Sequence, residues 1–331
     1  MFLFIFIIIA LISSLLYNPY IQLYSKYIFK IRNSLEYSKN IIPRGGGIIF
    51  GITNLIIIYS LYNYKFINNE IFLPLFLVSL GCLSLGFLDD LFHLKIRTKF
   101  FYQFLISIFI VEIFKDSFQN YFPYFNKYFV FLFFSIFFIW VLNAANFLDG
   151  SDGHLTILVI LQNLTLLLVQ LFSGFTSLYI YNVIFIISLL IFFWFNRFPA
   201  KVYMGDAGSL FLGGVQLTLF LIFLFIFKLN IFILLIIFSY FILETSGTLF
   251  FRLMYNKKIF NRHQSHSYQK FVEIYGHKNM IRLLIAFYIL WIIPLILLSV
   301  FLPDINSLLC LISFIPSLFF LLKFGLPGVK S

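Results

Sequence analysis

Runs of apolar residues recur along nearly the whole chain, and many reach the roughly 20 residues a helix needs to cross a bilayer. They fall at 2–22, 46–64, 71–88, 100–115, 128–146, 154–172, 178–195, 208–227, 230–251, 281–301 and 306–323. Inside a bilayer every main-chain polar group must be satisfied within its own segment, so such runs become helices. The pattern predicts an all-α, polytopic membrane protein with about 11 transmembrane helices, one for each run. It is read as a single integral-membrane domain over residues 1–331. Composition agrees: 62% of the residues are hydrophobic and 11% charged, against ~25% charged in a soluble domain.

The net charge of +11 would point to nucleic acid in a soluble protein. Here cytoplasmic loops explain it, because Lys and Arg collect there, and no nucleic-acid partner is expected. With the N-terminus outside and the C-terminus cytoplasmic, only Lys65, Lys115, Lys127 and Lys228 of the 23 basic residues fall outside. The run Phe2–Leu16 has neither a basic flank nor a small-residue cleavage site and is read as a retained first span. Cys82 and Cys310 sit within apolar runs and are expected to be small core residues.

The same orientation places five polar stretches on the inner face: "IPRGGG" (42–47), "LDDLFHLKIRTK" (88–99), "NFLDGSDG" (146–153), "KVYMGDAGS" (201–209) and "NRHQSHSYQ" (261–269). Solubility alone does not require all five to share a face, and their coincidence points to a cytoplasmic site at the lipid boundary.

Each stretch carries its own chemistry. Asp89 and Asp90 end a span, where the helix dipole is already negative. Arg97 and Lys99 follow one short loop later and are expected to offset the pair. The carboxylates either form a solvated helix end or orient a phosphate-bound metal. Asn146, Asp149 and Asp152 recur every third residue among glycines; their oxygens suit Mg²⁺, which takes few protein ligands beside waters and substrate phosphates. A plain turn is the simpler alternative. Asp206 lies between Gly205 and Gly208, as a helix cap or beside a phosphate at a helix N-terminus. Pro43, Arg44, Gly45 and Gly46 form an entry turn whose N–H groups could approach an anion. His263 and His266, with Arg262 and several lysines nearby, suit a diphosphate better than zinc, since no cysteine or third histidine is close. Residues 252–280 read as a cytoplasmic loop holding a short amphipathic helix, with Tyr268, Phe271, Val272 and Tyr275 on one face and Ser267 and Gly276 as caps. Carboxylates for a divalent cation, cations for phosphate and glycines for close approach together favour phosphoryl transfer between a soluble nucleotide and a lipid. No hydrolase triad or dinucleotide fingerprint competes.

"GFLDD", "NAANFLDGSDG", "KVYMGDAGSLFLGG" and the histidine loop, in this order between Pro43 and His277, resemble the polyprenyl-phosphate N-acetylhexosamine-1-phosphate transferases of glycosyltransferase family 4. "PRGGG" and "RHQSHSYQ" look most like the O-antigen-initiating branch, and the triple-histidine loop of the peptidoglycan enzymes is missing. "LEYS" (35–38) stands where Arg-Ser-Ser-His is usual, and Glu244 where aspartate is usual; both departures bear on donor choice. The resemblance implies transfer of N-acetyl-hexosamine-1-phosphate, including 6-deoxy sugars such as FucNAc or QuiNAc, from a UDP-sugar to undecaprenyl phosphate in the bacterial inner membrane. UMP leaves, and lipid-linked O-antigen or another surface polysaccharide begins. It implies Mg²⁺ (or Mn²⁺) held by Asp206 and Asn146, with Asp89, Asp90, Asp149, His263 and His266 as catalytic positions. Arg44, Gly45, Gly46, Arg97, Lys99, Asp152 and Arg262 would bind substrate, with Asp152 at the uracil. Lipid-facing spans also permit a homodimer. A transporter is the competing class. It would place charges deep within several spans and repeat one half of the chain in the other, and neither feature is visible.

Overall fold

The computed structural model describes residues 2–23, 42–174, 177–255 and 266–325. Its helices are α1 (Phe2–Leu23), α2 (Gly47–Asn63), α3 (Asn69–Phe92), α4 (Ile96–Ile113), α5 (Lys115–Tyr121), α6 (Lys127–Leu148), α7 (His154–Ser173) and α8 (Tyr179–Asn196). They continue with α9 (Gly205–Leu221), α10 (Ile231–Met254), α11 (Ser267–Tyr275), α12 (His277–Phe287), α13 (Ile293–Phe301) and α14 (Asn306–Gly325). Single π-turns extend α9 over Ile222–Ile226 and join α12 to α13 over Tyr288–Ile292. Each predicted run holds a helix, and eight of the described helical segments are long and apolar enough to cross a membrane. α2, with 17 residues, is shorter than these eight. The protein is an all-α, polytopic membrane protein.

Two closely spaced breaks have clear local causes. α7 stops at Gly174, whose φ of +74° suits a residue without Cβ. α10 starts at Asn230, whose side-chain oxygen accepts the Phe232 N–H at 2.9 Å, an ordinary N-cap.

The chain gathers into two compact units. The first comprises residues 1–146 and 177–227, the second 147–176 and 228–331. In the first, α3 packs along α9. Small residues allow this: a Cβ on Gly86 would lie 2.2 Å from the Asp206 carbonyl, and one on Gly214 would lie 2.7 Å from Cys82 Sγ. Close backbone approach of this kind is the usual device for helix packing in lipid, and Cys82 is the small core residue expected.

In the second unit α10 packs on α14, and α11 lies on α14 through Phe271, whose ring is 5.6 Å from Phe320 and 5.3 Å from Phe324. The predicted loop 252–280 is shorter than expected. α10 runs to Met254, and α12 already starts at His277 because Gly276, at φ +83°, both ends α11 and opens α12. The first turns of α12 are polar yet amphipathic, which hid them from a reading based on apolar runs.

Candidate functional site

In the first unit, the end of α3 and the start of α9 bring together residues far apart in sequence. Asp90 accepts the main-chain N–H groups of Asp206 at 3.0 Å and Ala207 at 2.9 Å. Its carboxylate therefore sits on the positive end of the α9 dipole, which offsets its own position at the negative end of α3. Asp89 is balanced differently. One oxygen accepts the Leu94 N–H and the other the Lys99 ammonium, both at 2.9 Å.

Lys99 also donates to Asp206 Oδ2, in a close contact, so a single ammonium bridges Asp89 and Asp206. Burial opposes its charge, but Asp206 and Asp89 outweigh that and raise its pKa above the ordinary lysine value. On the other oxygen of Asp206, Asn146 Nδ2 donates at 2.9 Å, and the same group reaches Ser209 Oγ at 3.0 Å. Asp89, Lys99, Asn146 and Asp206 thus form one continuous polar cluster, with Asp90 supporting it from below.

Three expectations need correction here. Arg97 does not join the carboxylates: it is exposed on the first turn of α4, and among the described residues the ion pair to Asp89 comes from Lys99, while Asp90 rests on main-chain N–H groups. Of the first N–H groups of α9, two, those of Asp206 and Ala207, are taken by Asp90 and are not open to a phosphate. The N–H of Gly46 does not face an anion either. It donates to Tyr203 O, and that of Gly47 to Met204 O, both at 3.0 Å. The glycines let two loops meet: a Cβ on Gly205, at φ +75°, would fall 2.6 Å from Asp90 Oδ2 and 2.6 Å from Gly45 N. Arg44 is exposed beside them, and its carbonyl accepts the Tyr20 hydroxyl.

The second unit holds Asp149 and Asp152, both half-buried, on the turn between α6 and α7. His266 is not presented as an exposed cation. It is 1% exposed, stands at the N-cap of α11 with its N–H donating to Gln269 Oε1 at 3.3 Å, and its ring lies 3.8 Å from Glu244 Oε1. Arg262 and His263 lie outside the described residues. Glu244, 2% exposed, accepts the Ser267 hydroxyl and, at 3.3 Å, the Tyr268 N–H. It caps α11 from another helix, a role that a carboxylate within an apolar run does not reveal. Ser209, Tyr268, His154 and His277 also escaped the sequence reading as site-shaping groups; Ser209 and His154 were signalled only by the acidic stretches beside them, and Tyr268 and His277 only by the histidine loop and its amphipathic helix.

The donor set of the first cluster fits a divalent cation. Asp89 and Asp206 offer carboxylate oxygens and Asn146 an amide oxygen, and Mg²⁺ is commonly held by one or two carboxylates with substrate phosphates completing its shell. Among the described residues no group of three or more His, Cys, Asp or Glu is arranged to hold a metal by itself.

Fold and cluster define a helical membrane protein with a charged site at the ends of its helices. Residues 72–224 match the model of glycosyl transferase family 4. The phospho-N-acetylmuramoyl-pentapeptide-transferase of Buchnera aphidicola subsp. Acyrthosiphon pisum is 32% identical over 259 residues, covering 62% of this chain and 70% of that protein. Proteins of the same name from Staphylococcus saprophyticus and Dictyoglomus thermophilum are 34% and 33% identical, covering 54% and 57% of this chain and 61% and 62% of theirs. The chain belongs to glycosyltransferase family 4, the polyprenyl-phosphate hexose-1-phosphate transferase superfamily.

Proposed function

We propose that this phospho-sugar transferase moves N-acetyl-hexosamine-1-phosphate, from donors that include 6-deoxy sugars such as FucNAc or QuiNAc, from a UDP-sugar to undecaprenyl phosphate. The observation that carries this reading is the Asp89–Lys99–Asp206–Asn146 cluster, which concentrates hard oxygens and one cation where two apolar helices end. A lipid-borne phosphate arrives at such a boundary. The protein would sit in the bacterial inner membrane with its N-terminus outside, its C-terminus inside and the stretch 252–280 on the cytoplasmic side.

An oxygen of the lipid phosphate bonds to the β-phosphorus of the donor. The bond from that phosphorus to the oxygen bridging to the α-phosphate breaks, and UMP leaves with the electron pair. Mg²⁺ or Mn²⁺, held by Asp206, Asn146 and Asp89, would supply positive charge where phosphate oxygens crowd together. A phosphate monoester has a second pKa near ~6 and is already largely ionised at neutral pH. The acidic pair therefore orients the acceptor and need not remove a proton. Lys99 keeps Asp89 and Asp206 from repelling one another, and Asn146 fixes the rotation of Asp206. Arg44, Arg262 and His263 meet the donor diphosphate; Asp149 and Asp152 serve the donor, with Asp152 at the uracil; and His266 shapes the start of α11.

A second donor, UDP-N-acetylmuramoyl-pentapeptide, is favoured by the names of the relatives above. Detergent-purified protein with undecaprenyl phosphate, Mg²⁺ and a panel of UDP-N-acetyl sugars plus that pentapeptide donor separates the two, with UMP and lipid product both followed. Transfer from the simple sugars alone supports the first reading, transfer from the pentapeptide donor alone the second. No turnover with any donor overturns both.

A further inference from the structure

Between α6 and α7 the chain turns through 149–153, and main-chain groups on either side of Asp149 are held by side chains of the same unit. The Tyr268 hydroxyl donates to the Phe147 carbonyl at 2.6 Å and accepts the Gly150 N–H at 3.0 Å. His154 Nδ1 lies 2.9 Å from the Leu148 carbonyl. A carbonyl can only accept, so Nδ1 carries the proton, and Nε2, 3.0 Å from the Tyr240 hydroxyl, accepts from it. Ser151 Oγ is 2.8 Å from His277 Nδ1.

Tyr268 is itself fixed at both ends. Its N–H donates to Glu244, and its ring lies flat on His154, centroids 4.2 Å apart at 3°. Burial pushes its hydroxyl well above the ordinary tyrosine pKa, so it stays a donor at any physiological pH. The fit is close: a Cβ on Gly150 would lie 2.3 Å from the Tyr268 hydroxyl oxygen. Asp149 is thus enclosed between two residues clamped to one oxygen atom, and Asp152 follows a serine held by His277.

We propose that Tyr268 is a positioning residue of the transferase: by bridging the Phe147 carbonyl and the Gly150 N–H, its hydroxyl sets the orientation of Asp149 and Asp152 for the nucleotide-sugar donor. The inference rests on the transferase reading above. A group that only stabilised the fold would lower the yield of active enzyme without separating one substrate from the other. A group that aims donor-side carboxylates raises the donor KM and spares the lipid.

The test uses full-length purified protein carrying Tyr268→Phe, Gly150→Ala or both, assayed with undecaprenyl phosphate and whichever UDP-sugar the wild type accepts. Tyr268→Phe keeps the ring on His154 and loses only the bridge. The donor KM rises roughly ten-fold, the size expected for losing a buried hydrogen-bond partner, while the lipid KM stays unchanged. Gly150→Ala impairs the enzyme, because the added Cβ would meet both the Tyr268 hydroxyl oxygen at 2.3 Å and Gln269 Nε2 at 2.4 Å; adding Tyr268→Phe removes the first of these contacts and restores part of the loss. Hydrogen exchange of the Gly150 amide, slow in the wild type, speeds up in Tyr268→Phe. Unchanged donor KM with unchanged exchange overturns the proposal, as does an equal rise of both KM values. Absence of turnover by the wild type with every donor would overturn the transferase reading, whereas faster exchange in Tyr268→Phe would still support the clamp.

Discussion

Asp90 closes the first turn of the helix that carries Asp206, accepting the Asp206 N–H at 3.0 Å. The two acids therefore have different duties despite their proximity. Asp90 has both oxygens on main-chain donors, and Asp206 turns its own carboxylate to Lys99 and Asn146.

Asp206→Asn removes the charge and keeps the shape. We expect loss of at least ~100-fold in Mg²⁺-dependent turnover in membranes, a scale typical of removing a main electrostatic contact in phosphoryl transfer. Product formation close to wild type would take Asp206 out of the site.

Asp90→Asn keeps one acceptor oxygen but brings an NH₂ group against the N-terminus of α9. Loss of a charged cap lowers stability by about 1–2 kcal/mol, read as a lower melting temperature in detergent. Raising the assay pH to mildly alkaline values will not recover its turnover, nor that of Asp89→Asn, if both carboxylates orient rather than deprotonate. Recovery at alkaline pH would assign a base.

Lys99 gives a signed pH prediction. Its pKa is raised in the folded protein, so the stabilisation it contributes is fully present below the ordinary lysine pKa and is lost as pH rises through the higher folded value. The melting-temperature gap between wild type and Lys99→Met should stay level from neutral pH through the mildly alkaline range and close only in strong alkali. A gap that shrinks near neutrality would contradict the ion pairs to Asp89 and Asp206.

Glu244→Asp shortens the arm that caps α11. The melting temperature should fall by several degrees, in line with losing a cap worth ~1 kcal/mol, and the order of preference among UDP-sugars should not change. A switch of preferred donor would make Glu244 a specificity residue, which its burial against Ser267 and Tyr268 argues against.

Chelation by EDTA should stop turnover, with Mg²⁺ and Mn²⁺ each restoring it. Full activity in EDTA would show that Lys99 supplies all the positive charge the carboxylates require.

Apolar runs made the helices legible from the amino-acid order alone, because a bilayer leaves a main chain few alternatives to helix. The acidic and glycine-rich stretches were legible as chemistry for a related reason: charges and glycines at the ends of apolar runs need a local cause. Partnership was not legible. Arg97 and Lys99 are equivalent in a list of cations near Asp89, and only the direction of the first turn of α4 places Lys99 on the carboxylates and Arg97 in the open. Glu244 and His266 likewise read as polar residues near a site, while their actual work is to cap α11. Tertiary structure decided these matters because hydrogen bonds and ion pairs act over about 3 Å, a range set by helix packing and not by distance along the chain.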